Sequence, residues 1–431
     1  MATITIKNVG PIKEAELTLN KVNVFMGPQS SGKSTIAKII SYCTWVEKRR
    51  RLDGFFRDDF LGRLKIFHNL DDTYFISDDA YIRYDGNYCD IEFSKKNPEI
   101  KIIVKNDATH LELNRKLIFI PAERNFVASI PNLGRYKETN NNVMNFLYDW
   151  YEAKKHYTKD NILNIPALGI SFYHIENEDK DVIVLDEGKE IILQNASSGI
   201  QSLTPLYLLM DYLTNILYKK EIIQSPFEKK RLKEMAKPMM ETELQRLTEP
   251  LIEQTIQEIE ERQGTVANIS REDEILLTLI NLYKKGTKDE LFNFLIDTSI
   301  NYQNTQFIIE EPEQNLFPEA QRDLVYHLLH LITGERDHRL TITTHSPYIL
   351  YALNNCMLGG LVYDKMDEED KNRLKCQSSL INPNDVSAYE IHDGILKSIQ
   401  QEDKLIGANF FDKKMKEIMD DFYVFLNYYG E

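Results

Sequence analysis

The sequence has only four cysteines, Cys43, Cys89, Cys356 and Cys376, and no two of them form a C-x-x-C pair. That spacing offers neither a zinc ligand set nor a disulfide framework, and it suits buried thiols in a reducing compartment. No apolar run approaches membrane-spanning length. The opening Met1-Ala-Thr-Ile-Thr-Ile-Lys7 lacks a basic region followed by an apolar core. A cytoplasmic location with no membrane contact is therefore expected. Positive charge is also scarce: 67 Asp and Glu against 52 Lys and Arg give a formal net charge of −15. A surface built throughout for nucleic acid is thereby excluded, because phosphate neutralisation needs clustered cations. Local clusters do occur at Lys48-Arg49-Arg50-Arg51 with Arg57, Arg63 and Lys65, and at Lys229-Lys230-Arg231 with Lys233. These read as solvated faces, with DNA as a candidate partner.

What is present is a phosphate loop. Gly27-Pro28-Gln29-Ser30-Ser31-Gly32-Lys33-Ser34-Thr35 fits G-x-x-x-x-G-K-[ST]. It sits between the apolar, β-branched Val22–Met26 and the helix-spaced Thr35–Tyr42, which is the strand-loop-helix setting the pattern requires. Backbone N–H groups of such a loop cradle phosphate oxygens at the helix N-terminus. Lys33 would reach the β- and γ-phosphates of ATP, and the Ser34 hydroxyl would ligate Mg²⁺.

The flanking pattern is mixed α/β. Ala2–Ile6 and Glu14–Leu19 alternate as two strands, and short aromatic and β-branched runs from Tyr74 to Lys105 predict an antiparallel meander. Leu117–Pro121 reads as a buried strand, Tyr136–Tyr157 as a helix, and Ile170–Leu193 as strand pairs turning at Asp186-Glu187-Gly188. Pro226–Asn301 is charged and helical, with breaks near Gly264 and Gly286, and reads as an insertion; the end of the chain reads as an amphipathic helix.

Two further strands carry chemistry at their carboxyl ends. Thr305–Ile309 leads into Glu310-Glu311-Pro312-Glu313, where Glu310 is placed to hold Mg²⁺ and Glu311 to act as general base on water. Leu340–Thr344 delivers His345-Ser346-Pro347, and His345 is a candidate hydrogen-bond donor to the γ-phosphate. Asn195-Ala196-Ser197-Ser198-Gly199-Ile200-Gln201 caps a helix and offers an anion site.

Together these four motifs resemble Walker A, Walker B with its glutamate, the switch histidine and the signature of ATP-binding-cassette ATPases. With Ile4-Thr-Ile-Lys-Asn-Val-Gly-Pro-Ile-Lys13 and Ile118-Phe-Ile-Pro-Ala-Glu-Arg124, they look like the RecF, SMC and OLD-like branch. The match is closest to the stand-alone ATPase subunits of anti-phage systems such as Septu and PARIS. The resemblance implies an ABC-type P-loop ATPase head over 1–225 and 302–431. It contains an antiparallel β subdomain at about 66–120 and a helical lobe at about 130–165, with a helical insertion at 226–301. It also implies catalytic Lys33, Glu311 and His345, and a homodimer or higher even oligomer clasping ATP between Lys33 and Ser34 of one copy and Ser198, Gly199 and Gln201 of another. Glu310 replaces the usual Asp, Ile200 the second signature glycine, and Phe317 the Asp or His after Walker B. No Q-loop glutamine is evident, and Glu123 or Arg124 is the candidate substitute.

OLD-like nucleases add a Toprim domain, but the stretch after Pro347 reads as too short to hold one, and the acidic run Asp364, Asp367, Glu368, Glu369 and Asp370 reads as a solvated turn. The implied function is an ATP-driven switch controlling a separate effector such as a nuclease. The competing readings are a DNA-repair ATPase of the RecF type and the nucleotide-binding subunit of a transporter.

Overall fold

The computed structural model describes residues 2–53, 59–105, 114–130, 141–219, 249–263, 271–287, 290–291, 293–294 and 301–429. The chain opens with the antiparallel pair β1 (Thr3–Val9) and β2 (Ile12–Thr18), then β3 (Val22–Met26), and the phosphate loop leads into α1 (Lys33–Asp53). After α2 (Phe60–His68) come β4 (Tyr81–Asp85), β5 (Cys89–Ser94), β6 (Asn97–Val104) and β7 (Arg115–Ile120). Next are α3 (Asn142–Lys154), β8 (Leu163–Ile165), β9 (Ile170–Ile175), β10 (Lys180–Val184), β11 (Glu190–Ile192) and α4 (Ser198–Asp211). Within 226–301 two helices are described, α5 (Glu249–Gln263) and α6 (Arg271–Lys285), and Gly286 follows α6 at φ +69°. The expected break at Gly264 lies outside the described residues. β12 (Asn304–Glu310), α7 (Pro318–Ile332), β13 (Arg339–Thr344) and α8 (Pro347–Val362) continue the chain. Then follow α9 (Glu368–Arg373), β14 (Val386–His392), β15 (Ile395–Ser398) and α10 (Phe410–Leu426).

Among the described residues, eleven strands share one sheet in the order β6-β5-β4-β1-β2-β15-β14-β3-β13-β12-β7. Its centre is parallel: β14, β3, β13, β12 and β7 all run the same way. Every residue of β3 and β12 is buried, as a parallel strand covered on both faces requires. The meander β4–β6 forms an antiparallel wing joined through β1. β7 does not share that wing, although the span 66–120 includes it. It pairs parallel with β12 at the opposite edge, because its buried Ile118, Phe119 and Ile120 need cover on both faces. β8–β11 make a separate antiparallel sheet of four strands.

Two cores flank the main sheet, and alternate residues of each central strand feed them. Val22, Val24 and Met26 of β3 and Phe307 and Ile309 of β12 join α3, α4, α7 and α8 on one side. Phe25 and Ile308 join α1, α2 and the wing on the other.

Two surface expectations need correction. The run Lys48–Arg51 is not a solvated face: Arg51 is buried, and Lys48 turns inward to donate to the Arg115 carbonyl at 2.6 Å. Burial, reinforced by Arg51, Lys116, Arg115 and Arg49, pulls the Lys48 pKa down to about 7. Arg57 and Lys229–Lys233 lie outside the described residues. The acidic run is a short exposed helix rather than a turn, with Asp367 accepting from the Asp370 N–H at 2.9 Å and Lys371 pairing Glu368 at 2.8 Å. No helix among the described residues is long and apolar enough to cross a membrane.

Candidate functional site

Strand register assembles the site. Met26 lies beside Thr344, and Thr343 beside Glu310. The residues that follow, Gly27, His345 and Glu311, therefore emerge together at the carboxyl edge of the parallel strands, where α/β sheets hold ligands. Gly27 has φ +152°, and a Cβ there would stand 2.4 Å from the Ile391 carbonyl oxygen, so only glycine fits the turn out of β3. Ser30 also takes a left-handed backbone, φ +59°, and the loop curls until α1 begins at Lys33.

Lys33 is 4% exposed. Its ammonium donates to the carbonyls of Gly27 at 2.9 Å and Pro28 at 2.7 Å and stands 3.3 Å from His345 Nδ1. Burial pulls its pKa to about 8, while Glu311 and Glu313 push it back, so it stays a cation at neutral pH. On the far side of the imidazole, His345 Nε2 is 2.9 Å from Glu311 Oε1. One tautomer satisfies both contacts: Nε2–H donates to Glu311 and Nδ1 accepts from Lys33. The hydrogen bond from His345 holds the Glu311 carboxyl below the ordinary range against its burial, so Glu311 is an ionised base at neutral pH.

Lys33, His345 and Glu311 line one cavity of about 630 Å³ with Gln29, Ser30, Ser31, Gly32, Ser34 and Thr35. Gly10, Pro11, Thr73 and Tyr74 complete its wall. The sequence carries no local signal for Thr73 and Tyr74, which a short 3-10 helix, Asp72–Phe75, brings in, with the Gly10 N–H donating to the Tyr74 carbonyl at 2.7 Å.

Beneath the loop, Glu310 is 5% exposed, and burial raises its pKa against the opposing effects of Lys38 and a hydrogen bond with Ser34. Its Oε1 is buried without a partner. An unpaired carboxylate oxygen next to a serine hydroxyl is a hard-oxygen donor set, which fits Mg²⁺. Glu313, quoted in the motif but given no role there, accepts from the His345 N–H at 2.6 Å and from Thr344 Oγ1 at 2.8 Å, so it fixes the turn that presents the histidine.

Arg124, one of the two candidate Q-loop substitutes, does not line the cavity but braces the backbone behind it. It is fully buried and directs its five N–H donors at five carbonyl oxygens. Nη1 reaches Glu310 at 2.9 Å and Pro121 at 3.4 Å, Nη2 reaches Glu311 at 3.0 Å and Pro312 at 3.1 Å, and Nε reaches Ser202 on α4 at 3.1 Å. Burial lowers its pKa to about 10 against the pull of Glu313, Glu311 and Glu310, so it too remains charged. Glu311 itself sits at φ +43°, a region a non-glycine residue enters only when its neighbours hold it there, and the Arg124 fork supplies that hold.

The helix-capping motif stands apart from this cluster. Ser197 and Ser198 are exposed, and the Ser197 side chain makes no capping bond to α4. Neither Ser198 nor Gly199 nor Gln201 lines the phosphate-loop cavity. The Gln201 amide is taken up within the chain, donating to Leu193 and Gln194 carbonyls at 3.3 and 2.9 Å and accepting from Ser129 Oγ at 3.1 Å. Gly199 packs so closely on the loop after β12 that a Cβ would lie 2.8 Å from the Asn315 carbonyl oxygen. Phe317, two residues beyond Asn315, is 78% exposed.

The sequence profile of a family described as AAA domain matches residues 3–311. The chain belongs to the AAA domain family. No curated protein matches this AAA domain protein by sequence. Among solved structures it is similar to the SMC head domain from Thermotoga maritima, at 10% identity over 93% of this chain and 98% of that one, with a TM-score of 0.37. It is also similar to the recombination mediator RecF, at 14% identity over 92% and 97% with a TM-score of 0.30. A nucleotide-free ATP-binding cassette from an ABC transporter gives 12% identity over all of both chains and a TM-score of 0.25.

Proposed function

We propose that this protein binds and hydrolyses ATP in a clasp between two of its own copies, and that the clasp is a switch acting on a separate effector. The observation that carries the reading is the chain Lys33–His345–Glu311 at the mouth of the phosphate-loop cavity, with contacts of 3.3 and 2.9 Å. Lys33 and the loop N–H groups would bind the triphosphate. Ser34 and Glu310 would hold Mg²⁺, which supplies charge neutralisation at the phosphate oxygens. Glu311, ionised and backed by the Arg124 fork, would take the proton of the attacking water. His345 would hold that carboxylate in place and stay close to Lys33. Tyr74 lines the same cavity and is the aromatic group there for a purine base to pack on.

The clasp itself is supported by the exposed serines at the start of α4. A helix N-terminus carries N–H groups and partial positive charge, so Ser198 and Gly199 are chemically suited to phosphate, but not to the phosphate of their own chain's cavity. A second copy supplies the missing half. Nucleotide then shifts the population toward the closed pair only if its γ-phosphate gains contacts there that it lacks in the open form, and Ser198 provides one.

The effector reading, an ATPase subunit of an anti-phage system with a nuclease as separate partner, rests on the motif resemblance. DNA contact belongs to the competing DNA-repair reading, and strongly salt-dependent binding of duplex ends by the isolated chain would favour that one.

The decisive experiment compares Glu311→Gln and Lys33→Ala with the unaltered chain in ATP turnover and in mass by light scattering. Glu311→Gln should keep ATP, lose turnover by about 10²–10⁴-fold and double its mass on adding ATP, whereas Lys33→Ala should lose nucleotide affinity. Turnover in Glu311→Gln equal to that of the unaltered chain removes the general-base assignment. A mass that ATP leaves unchanged in that variant removes the clasp.

A further inference from the structure

α10 leaves its apolar seam uncovered. Asn409 and Asp412 form a capping box at its start, Tyr351 donates to Asp412 at 2.7 Å, and the Phe410 N–H donates to Glu390 at 3.0 Å. Past that first turn every residue from Lys413 to Tyr429 is exposed. Phe411, Met415, Ile418, Phe422 and Phe425 recur at spacings of four and three, the a/d pattern of a helix that packs on another helix, and Tyr429 continues the spacing just past its end. Met415, Ile418, Phe422, Phe425 and Tyr429 are between 54% and 88% exposed. A helix of this length is marginal alone in water and gains its stability from covering such a seam.

The charges say what covers it. After the capping Asp412, Lys413, Lys414 and Lys416 come first along α10, and Glu417, Asp420 and Asp421 follow them. This order opposes the helix's own dipole, which favours acids at the start and bases at the end. The same order is favourable against an antiparallel copy. Each lysine turn then faces the acidic turns and the negative helix end of its mate, and Lys414 and Asp421, seven residues apart on one flank of the seam, face one another across the pair. A parallel pairing would set base against base and acid against acid. An anionic membrane is disfavoured too, since the acidic residues lie in the half richest in exposed aromatics.

We infer that α10 pairs antiparallel with α10 of a second copy of this chain, through Phe411, Met415, Ile418 and Phe422, the register that sets Lys414 against Asp421, without nucleotide. This contact is separate from the ATP clasp, so the two together would build a higher even oligomer.

The test is the mass of the full chain without nucleotide, measured by light scattering across a dilution series and repeated in Lys33→Ala. The unaltered chain and Lys33→Ala should both be dimers. Ile418→Asp combined with Phe422→Asp should give a monomer with unchanged ATP affinity, because both side chains are exposed and neither lines the phosphate-loop cavity. Lys414→Glu alone and Asp421→Lys alone should each weaken the dimer at least tenfold, and the double exchange should restore it. A monomer at every concentration overturns the proposal, as does a dimer that survives the Asp substitutions or one that the double exchange fails to restore. An unaltered monomer that binds phosphatidylserine vesicles through α10 overturns it in favour of a lipid surface.

Discussion

The two halves of the proposed clasp are built to different degrees of completion. At the strand ends, Lys33 and Glu310 are 4% and 5% exposed, and His345 joins Lys33 to Glu311. At the start of α4, Ser197 and Ser198 stand in solvent and the Ser197 hydroxyl does not cap its own helix. One half is preorganised by its own chain. The other is a helix terminus, which becomes a site only when something anionic meets it. A chemistry whose second half must come from another copy can be switched by assembly, whereas a wholly internal site would turn over regardless of its neighbours. Arg124 keeps the halves in register, because a single guanidinium holds both the Glu310–Pro312 carbonyls and Ser202 of α4.

Breaking that link should give the largest effect. Arg124→Met removes five hydrogen bonds to carbonyl oxygens, although the Glu311 and Pro121 carbonyls keep a backbone N–H, and it removes the cation between Glu310, Glu311 and Glu313. A loss of about 3–5 kcal/mol is expected, as for other buried charges deprived of a partner, measured by urea unfolding. Arg124→Lys should recover only a small part, since an ammonium has three protons and no planar fork. If Arg124→Met unfolds at the same urea concentration as the unaltered chain, the two halves are not held by this residue.

Ser198→Glu sharpens the comparison from the exposed side. It places a carboxylate where phosphate is expected, and turnover should fall roughly ten- to hundredfold, or about 1.4–2.7 kcal/mol in the barrier. Melting temperature and ATP affinity of the monomer should be unchanged, because Ser198 lines no part of its own chain's cavity. A substitution on the buried half, at Lys33 or Glu310, could not separate stability from activity. Turnover in Ser198→Glu equal to that of the unaltered chain would leave the helix start without a role.

The half carried by short local patterns was legible in the sequence. The phosphate loop, the Thr305–Ile309 and Leu340–Thr344 strands and the residues at their ends all sit where the apolar runs predict, because a buried parallel strand has to be apolar over its whole length. Contacts to backbone were not legible. Nothing in the sequence marks Arg124 as a donor to five carbonyls, since its acceptors belong to residues of any type. Lys48 and Arg51 looked like a solvated run because the charges are consecutive. They stand three apart on α1, so one helix face carries both toward the sheet while Arg49 remains outside. Adjacency in the chain groups β7 with the meander, and only strand pairing shows it beside β12.

The smallest effect separates the two ends of β13. His345 follows its carboxyl end, and His338 precedes its amino end, 2% exposed, with Nδ1 accepting the Thr305 N–H at 3.1 Å. Burial, helped by Arg336, Lys21 and Arg115 and opposed by Asp337, pulls the His338 pKa down to about 3. An unfolded histidine titrates near 6.5, so between these values the unfolded chain holds a proton that the folded chain refuses. Stability from this group is complete above about pH 6.5 and falls by about 1.4 kcal/mol per pH unit on going down toward pH 3. His338→Asn keeps an acceptor for Thr305 and does not titrate, so its urea midpoint should fall less between pH 6.5 and 5 than that of the unaltered chain. ATP affinity at neutral pH should be the same in both, since His338 lies at the end of the strand away from the phosphate loop. A shift in that affinity would mean that the structural end of β13 is coupled to the chemical one.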